Sequence, residues 1–188
     1  MHGLSPLPTE LTVRERALGL GRMEVHLDGR LPVGWCENLT THLTARGASI
    51  DRLVATSDKG RWEVEIALLG GVGVEIRRGL YEREEVDARL YELHLSGGDI
   101  WPERDGAIGL ELRGPDRRGL LAAILRRLGM HGLFPIRMDV QTHGEQVLDR
   151  FVLRGYSGSA PSMDKAAIVL AELLEHHPRR LTPRPVLR

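Results

Sequence analysis

A chain of 188 residues holds one large domain or two small ones. Lys plus Arg equals Asp plus Glu at 26 each, so no overall field draws it to nucleic acid or anionic lipid. Hydrophobic residues make up 41%, enough for a core, and the 4% aromatic share makes that core an aliphatic one. Cys36 stands alone, which rules out an intrachain disulfide and a Cys-based structural zinc set. No apolar run approaches the roughly 18 residues that span a bilayer, and the first twenty residues lack the apolar centre of a signal peptide. A reducing cytoplasm is the expected location.

In chain order, residues 1–21, with Pro6, Pro8 and several glycines, read as an N-terminal arm. Organised structure is expected from Arg22. Met23, Val25 and Leu27 alternate with Glu24 and His26 as a half-buried strand does. After a loop through Gly34, Trp35, Leu39 and Leu43 recur at helical spacing, and Gly47 closes the helix. Ile50 to Ala55 is a second strand, Ser57 to Gly60 a turn, and Trp62, Val64, Ile66 and Leu68 one face of a third strand.

Residues 70–105 are less regular. Gly70, Gly71 and Gly73 interrupt the chain, and so do Gly97 and Gly98. Between them Leu80, Val86, Leu90 and Leu93 fit a helix, while Tyr91, Leu93 and Leu95 equally fit a strand.

From Gly106 to Gly155 the pattern is clear again. Ile108, Leu110 and Leu112 form a strand face, and Asp116 is the expected cap of a helix carrying Leu120, Leu121, Ile124, Leu125 and Leu128. Gly132 ends that helix in the left-handed region. Ile136, Met138 and Val140 mark a strand, His143-Gly144-Glu145 a hairpin turn, and Val147 to Leu153 the returning strand. Leu148 and Val152, on its other face, suggest that a module or subunit covers the sheet there. A second helix follows, with Ser162 as cap and Met163, Ala167, Leu170 and Leu174 as its apolar positions. The basic, Pro-broken residues 178–188 form a tail or an edge strand.

The two βαββ runs superimpose with a period of about 85 residues. Gly34 falls on Gly119, Leu39 on Ile124, Leu43 on Leu128, and Gly47 on Gly132. A strand–helix crossover, a hairpin and a further helix give the ferredoxin-like order. The expected fold class is therefore α+β: two ferredoxin-like βαββαβ modules, with antiparallel sheets and helices on one face. The expected division is an arm over 1–21, a divergent module over 22–100 and a second module over 101–188.

Pro115-Asp116-Arg117-Arg118-Gly119-Leu120-Leu121, the helix end Gly132-Leu133, and Val147-Leu148-Asp149-Arg150-Phe151 together resemble ACT domains. The nearest type is the tandem arrangement of nitrogen-sensing uridylyltransferases and glycine-cleavage repressor-like proteins. The family pattern runs D-R-P-G-L-L, then G-L-N-I, then V-L-D-x-F. Here Arg118 replaces the Pro and Phe134 replaces the Asn.

The leading candidate site is the turn Asp116-Arg117-Arg118-Gly119. A helix N-terminus offers unpaired N–H groups to a small carboxylate, Gly119 leaves room for close approach, and Arg117 can pair with the anion. The plainer reading is a capped helix with solvated arginines, and the two are compatible. The resemblance implies that this turn, with Leu120, Leu133 and position 134, helps bind an effector amino acid where it faces a neighbouring module. Phe134 cannot supply a polar contact, so a more apolar or filled pocket is expected there. The first copy keeps Gly34 but no acid, and Trp35 and Asn38 either line a second pocket or serve the core.

No nucleophile motif, phosphate cradle or HxxxH pair is present, and His176-His177 suits a helix end better than a metal. The basic-aromatic platform of an RNA-binding sheet is missing, which argues against nucleic acid, although Arg126, Arg127, Arg179, Arg180 and Arg184 are candidates for it. The reading is a non-catalytic regulatory protein without cofactor or metal. It binds a small effector, an amino acid, at an inter-module interface, and acts through homo-oligomerisation or a regulatory partner protein. The alternative is an interaction scaffold with a vestigial ligand site.

Overall fold

The computed structural model describes residues 11–82, 84 and 93–174. Expectations about Val86, Leu90, Tyr91, His176, His177 and the 178–188 tail lie outside them, as do residues 1–10 of the arm.

The first strand starts well before Arg22. Thr12–Gly19 (β1) pairs antiparallel with Arg22–Gly29 (β2) through a tight turn at Leu20-Gly21, both at positive φ. Residues 12–19 therefore belong to the sheet rather than to an arm. Most of β1 is exposed, so its backbone ladder and half-buried Val13 hold it, and no apolar alternation marks it in the sequence.

In β2, Met23, Val25 and Leu27 are buried as their spacing predicts. Trp35–Ala45 (α1) buries Trp35, Leu39 and Leu43, and ends at Gly47, φ +75°. Ser49–Asp58 (β3) and Arg61–Leu69 (β4) form a hairpin across Lys59-Gly60. Ile76–Tyr81 (α2) is a short helix. Gly97–Pro102 (β5) pairs with Ile108–Pro115 (β6). Leu120–Met130 (α3), Leu133–His143 (β7), Gln146–Gly155 (β8) and Met163–Leu174 (α4) complete the described chain.

Three local expectations change. Asp116 does not cap α3; Gly119 occupies the N-cap in the left-handed region, φ 85°, and no side chain caps the helix. Gly97 and Gly98 do not break the chain but sit inside β5. A Cβ on Gly98 would come within 2.9 Å of the Glu111 carbonyl and 2.8 Å of Leu170 in α4, so close helix–strand packing selects glycine there. Ser162 does cap α4, its Oγ accepting from the Lys165 N–H at 3.2 Å, but the buried stripe is Ala166, Val169, Leu170 and Leu173. Met163 is exposed.

Among the described residues eight strands join one antiparallel sheet in the order β1-β2-β4-β3-β7-β8-β6-β5. The order ββαββα occurs twice. The strand that flanks each half precedes the other three instead of following them, which differs from the βαββαβ order expected. β5 spans the division expected at residue 100 and pairs with β6, while Leu93 and Leu95 are buried outside any strand.

The halves meet at β3 and β7. Val54 pairs with Asp139, flanked by Leu53 with Val140 and Ala55 with Met138. Val54 and Asp139 are themselves separated by the repeat period, so the pairing is self-complementary about a pseudo-twofold axis. On the helix side α1 packs against α3, and the buried side chains of both halves form one continuous cluster. The opposite sheet face is charged, with Glu63, Glu65, Arg52, Arg137 and Arg150 exposed. Glu111 is buried on that face because Arg150 Nε, at 2.8 Å, and Arg113, at 3.2 Å, close over it. Leu148 and Val152 lie half-buried beside this network. The first half continues the sheet beside them rather than covering this face.

Candidate functional site

Packing two antiparallel helices over a shared sheet leaves an opening at each end of the α1–α3 seam. At one end the N-terminus of α3 meets the C-terminal part of α1. Asp116 N–H donates to the Glu145 carbonyl at 2.8 Å, and Leu120 N–H to the Arg117 carbonyl at 3.0 Å. These bonds fold the Asp116–Gly119 turn over a cavity of about 90 Å³. Thr40, Thr44 and Ser49 line it from the first half, and Asp116, Arg117, Arg118, Gly119, Leu120, Thr142 and Asp149 from the second.

Asp149 is the residue that sequence reasoning missed. It lies on the helix face of β8 in phase with Val147, Phe151 and Leu153, and is 1% exposed. That phase was its signal: an acid on the apolar side of an alternating strand. Burial pushes its carboxyl up to about 7, with the Asp116 charge adding to the rise, the Gln141 N–H opposing it, and Asp139 contributing. Its Oδ1 has no hydrogen-bond partner among the described residues. Asp116 stands at the cavity mouth, open to solvent on its outer side. Partial burial raises its carboxyl, the Arg117 N–H opposes this, and Asp51 adds to it.

At the other end the N-terminus of α1 meets the C-terminal part of α3 over a groove of about 370 Å³. Gly34 takes the N-cap of α1 at φ 76°, the conformation that Gly119 takes in α3. Trp35 packs edge-on against Trp62, ring centroids 5.3 Å apart, and Phe134 packs against Tyr156 at 6.3 Å. Cys36 is buried beside them, and burial pushes its thiol well above the usual range, so it is not a poised nucleophile.

The candidate residues thus fall into two groups. Asp116, Arg117, Arg118, Gly119 and Leu120 line the cavity, while Gly34, Trp35, Leu133 and Phe134 line the groove. Asn38 lines neither; its N–H donates to the Gly34 carbonyl within α1. The pairing is crossed. Phe134 faces the Gly34 turn of the other half, and its counterpart in the repeat, Ser49, faces the Asp116 turn. The Phe-for-Asn replacement therefore bears on the groove, and the cavity keeps a hydroxyl at that place.

No family model matches the chain. Over 70 residues it is 37% identical to the ACT domain-containing protein ACR2 of Arabidopsis thaliana, a match covering 37% of this chain and 14% of that protein. This supports an ACT-like regulatory domain, in agreement with the α+β fold of an antiparallel sheet and helices. Among the described residues no helix is long and apolar enough to cross a membrane, and no cluster of three or more His, Cys, Asp or Glu is arranged to hold a metal ion.

Proposed function

We propose that this chain is a non-catalytic regulatory protein whose two halves, divided ahead of β5, bind a small effector at their shared seam. The observation that carries the reading is the Asp116–Gly119 turn, which opens a helix N-terminus onto a cavity whose far wall belongs to the other half. The N–H groups of the first turn suit a carboxylate, and Arg117 lies beside them. An amino acid is the effector class that the resemblance implies and that a cavity of about 90 Å³ fits when its side chain is small. Effector binding across the seam favours one arrangement of the halves, and it acts on a partner or an oligomer only through its differential affinity for the two states. A cytoplasmic setting suits the lone, buried Cys36.

A thermal-shift screen of the twenty amino acids, repeated on Arg117→Ala, tests this. A ligand at about a hundred times its Kd stabilises by roughly 2.7 kcal/mol. A hit weakened by the substitution is the expected result. No shift with any amino acid would reject the effector reading in favour of a second one. That second reading is an interaction scaffold using the aromatic groove, supported by exposed Tyr156 and Val33 at its rim.

A further inference from the structure

Asp149 is costly where it stands. A carboxyl in an apolar layer loses hydration, and an acceptor without a partner recovers none of it. Val140, Leu112 and Phe151 surround it on the helix face of the sheet, and only the cavity side is polar.

The charges around the cavity are unbalanced. Asp116 faces Asp149 from the α3 turn, Asp51 adds its charge from β3, and Asp139 from β7. Helix α1 presents only the hydroxyls of Thr40 and Thr44 to the cavity, β3 that of Ser49, and β7 that of Thr142. Arg117 and Arg118 line the cavity but are exposed, and neither forms an ion pair with Asp116 or Asp149 among the described residues. The Gln141 N–H serves the Asp149 carboxyl, yet its buried Oδ1 has no donor, and neither Asp149 nor Asp116 is ion-paired among the described residues.

We infer that the cavity takes a compact compound bearing a protonated primary amine, whose ammonium donates to Asp149 Oδ1 and is shared with Asp116. The inference rests on the effector reading above and assigns the end of the effector that the helix N-terminus does not. A small zwitterion then places its carboxylate at the first turn of α3 and its ammonium at the acid pair. The volume of about 90 Å³ suits a compact ligand. The ammonium binds the ionised carboxylate, so below neutral pH Asp149 gives its proton to solvent as the ligand enters. With the Asp149 carboxyl at about 7, affinity rises about tenfold between pH 6 and pH 8, following the ionised fraction.

Isothermal titration of the whole chain with ethylamine, glycine and propionate at those two pH values tests the inference. The expected result is binding of ethylamine and glycine, about tenfold tighter at pH 8, with propionate far weaker than either. Asp149→Asn, which preserves shape and removes the charge, should lose ethylamine binding and its pH dependence while keeping the native circular dichroism. The wild-type pH ratio is a second measurement that needs no variant. Ethylamine affinity unchanged in Asp149→Asn, equal affinity at both pH values, or preference for propionate would overturn it. Glycine binding that survives Asp149→Asn would overturn this inference and leave the effector reading standing. Ethylamine binding lost in Asp149→Asn without any amino acid binding would uphold the inference and remove the effector reading.

Discussion

Val54 lies directly opposite Asp139 at the middle of the β3–β7 ladder, and each is the other's counterpart in the repeat. That single register makes the two halves one cooperative unit, since Leu53 and Ala55 interlock with Met138 and Val140 beneath the helices. Leu53 is fully buried at this seam. Leu53→Ala should cost about 2–5 kcal/mol and leave one transition rather than two. Trp35 and Trp62 report from one half and Trp101 from the other. Fluorescence of single-tryptophan variants and far-UV circular dichroism should therefore give coincident urea curves, and separate midpoints would contradict a shared core.

Gly34 and Gly119 both hold the left-handed conformation immediately before their helices, and at Gly34 the space where a Cβ would stand is open. At Gly34 the requirement is conformational rather than steric, and Gly119 shares that conformation. Alanine at either position should cost about 1–2 kcal/mol, and asparagine less, because asparagine tolerates this region. Denaturant midpoints of the four variants check this. A greater loss with asparagine than with alanine would show that space decides instead.

Much of this architecture is legible in the chain. Met23, Val25 and Leu27 alternate because one side of β2 meets helices and the other meets water. The repeat is visible because the two helices start from the same kind of glycine. The rest depends on contacts that local pattern does not encode. β1 is an edge strand whose exposed side chains carry no period. Gly98 reads as a breaker until Leu170 is placed above it. Asp116 looks like a cap, yet its N–H is committed to Glu145 and the helix starts three residues later. The crossed pairing of Phe134 with the Gly34 turn needs the strand order, which only β3–β7 pairing supplies.

Asp149 should make stability depend on pH in an unusual direction. Its carboxyl is held at about 7 against an ordinary 3.8, so the native chain keeps a proton that the unfolded chain releases. Stability is full below about pH 4 and falls as pH rises to about 7, a loss of roughly 4 kcal/mol if nothing binds. Asp149→Asn imitates the protonated form and should remove this slope, becoming more stable than wild type at about pH 8. Urea unfolding of both proteins at about pH 5 and pH 8 measures it. Parallel behaviour of the two proteins would count against a buried acid.

In each half the helix next to the seam grips a carboxylate with two residues one turn apart. His42 and Arg46 hold Glu84, with His42 Nδ1 at 2.8 Å, and Arg127 and His131 hold Glu172, with His131 Nε2 at 2.7 Å. The cost of breaking them should differ. His42 is fully buried, so Glu84→Ala strands an imidazole and should cost about 1–3 kcal/mol. His131 and Glu172 are each more than a quarter exposed, so Glu172→Ala should cost under about 1 kcal/mol. Melting temperatures of the two variants, taken side by side, test the ordering.

The pseudo-twofold axis has an evolutionary reading. In a dimer of identical chains, one codon change would alter both ends of such a seam at once, and neither end could specialise alone. Covalent fusion lifts that restriction. Ser49 and Phe134 occupy corresponding places yet are inherited separately, so one end keeps acids and hydroxyls while the other is lined with rings. The scaffold preserves the symmetry of its backbone and releases its side chains from it.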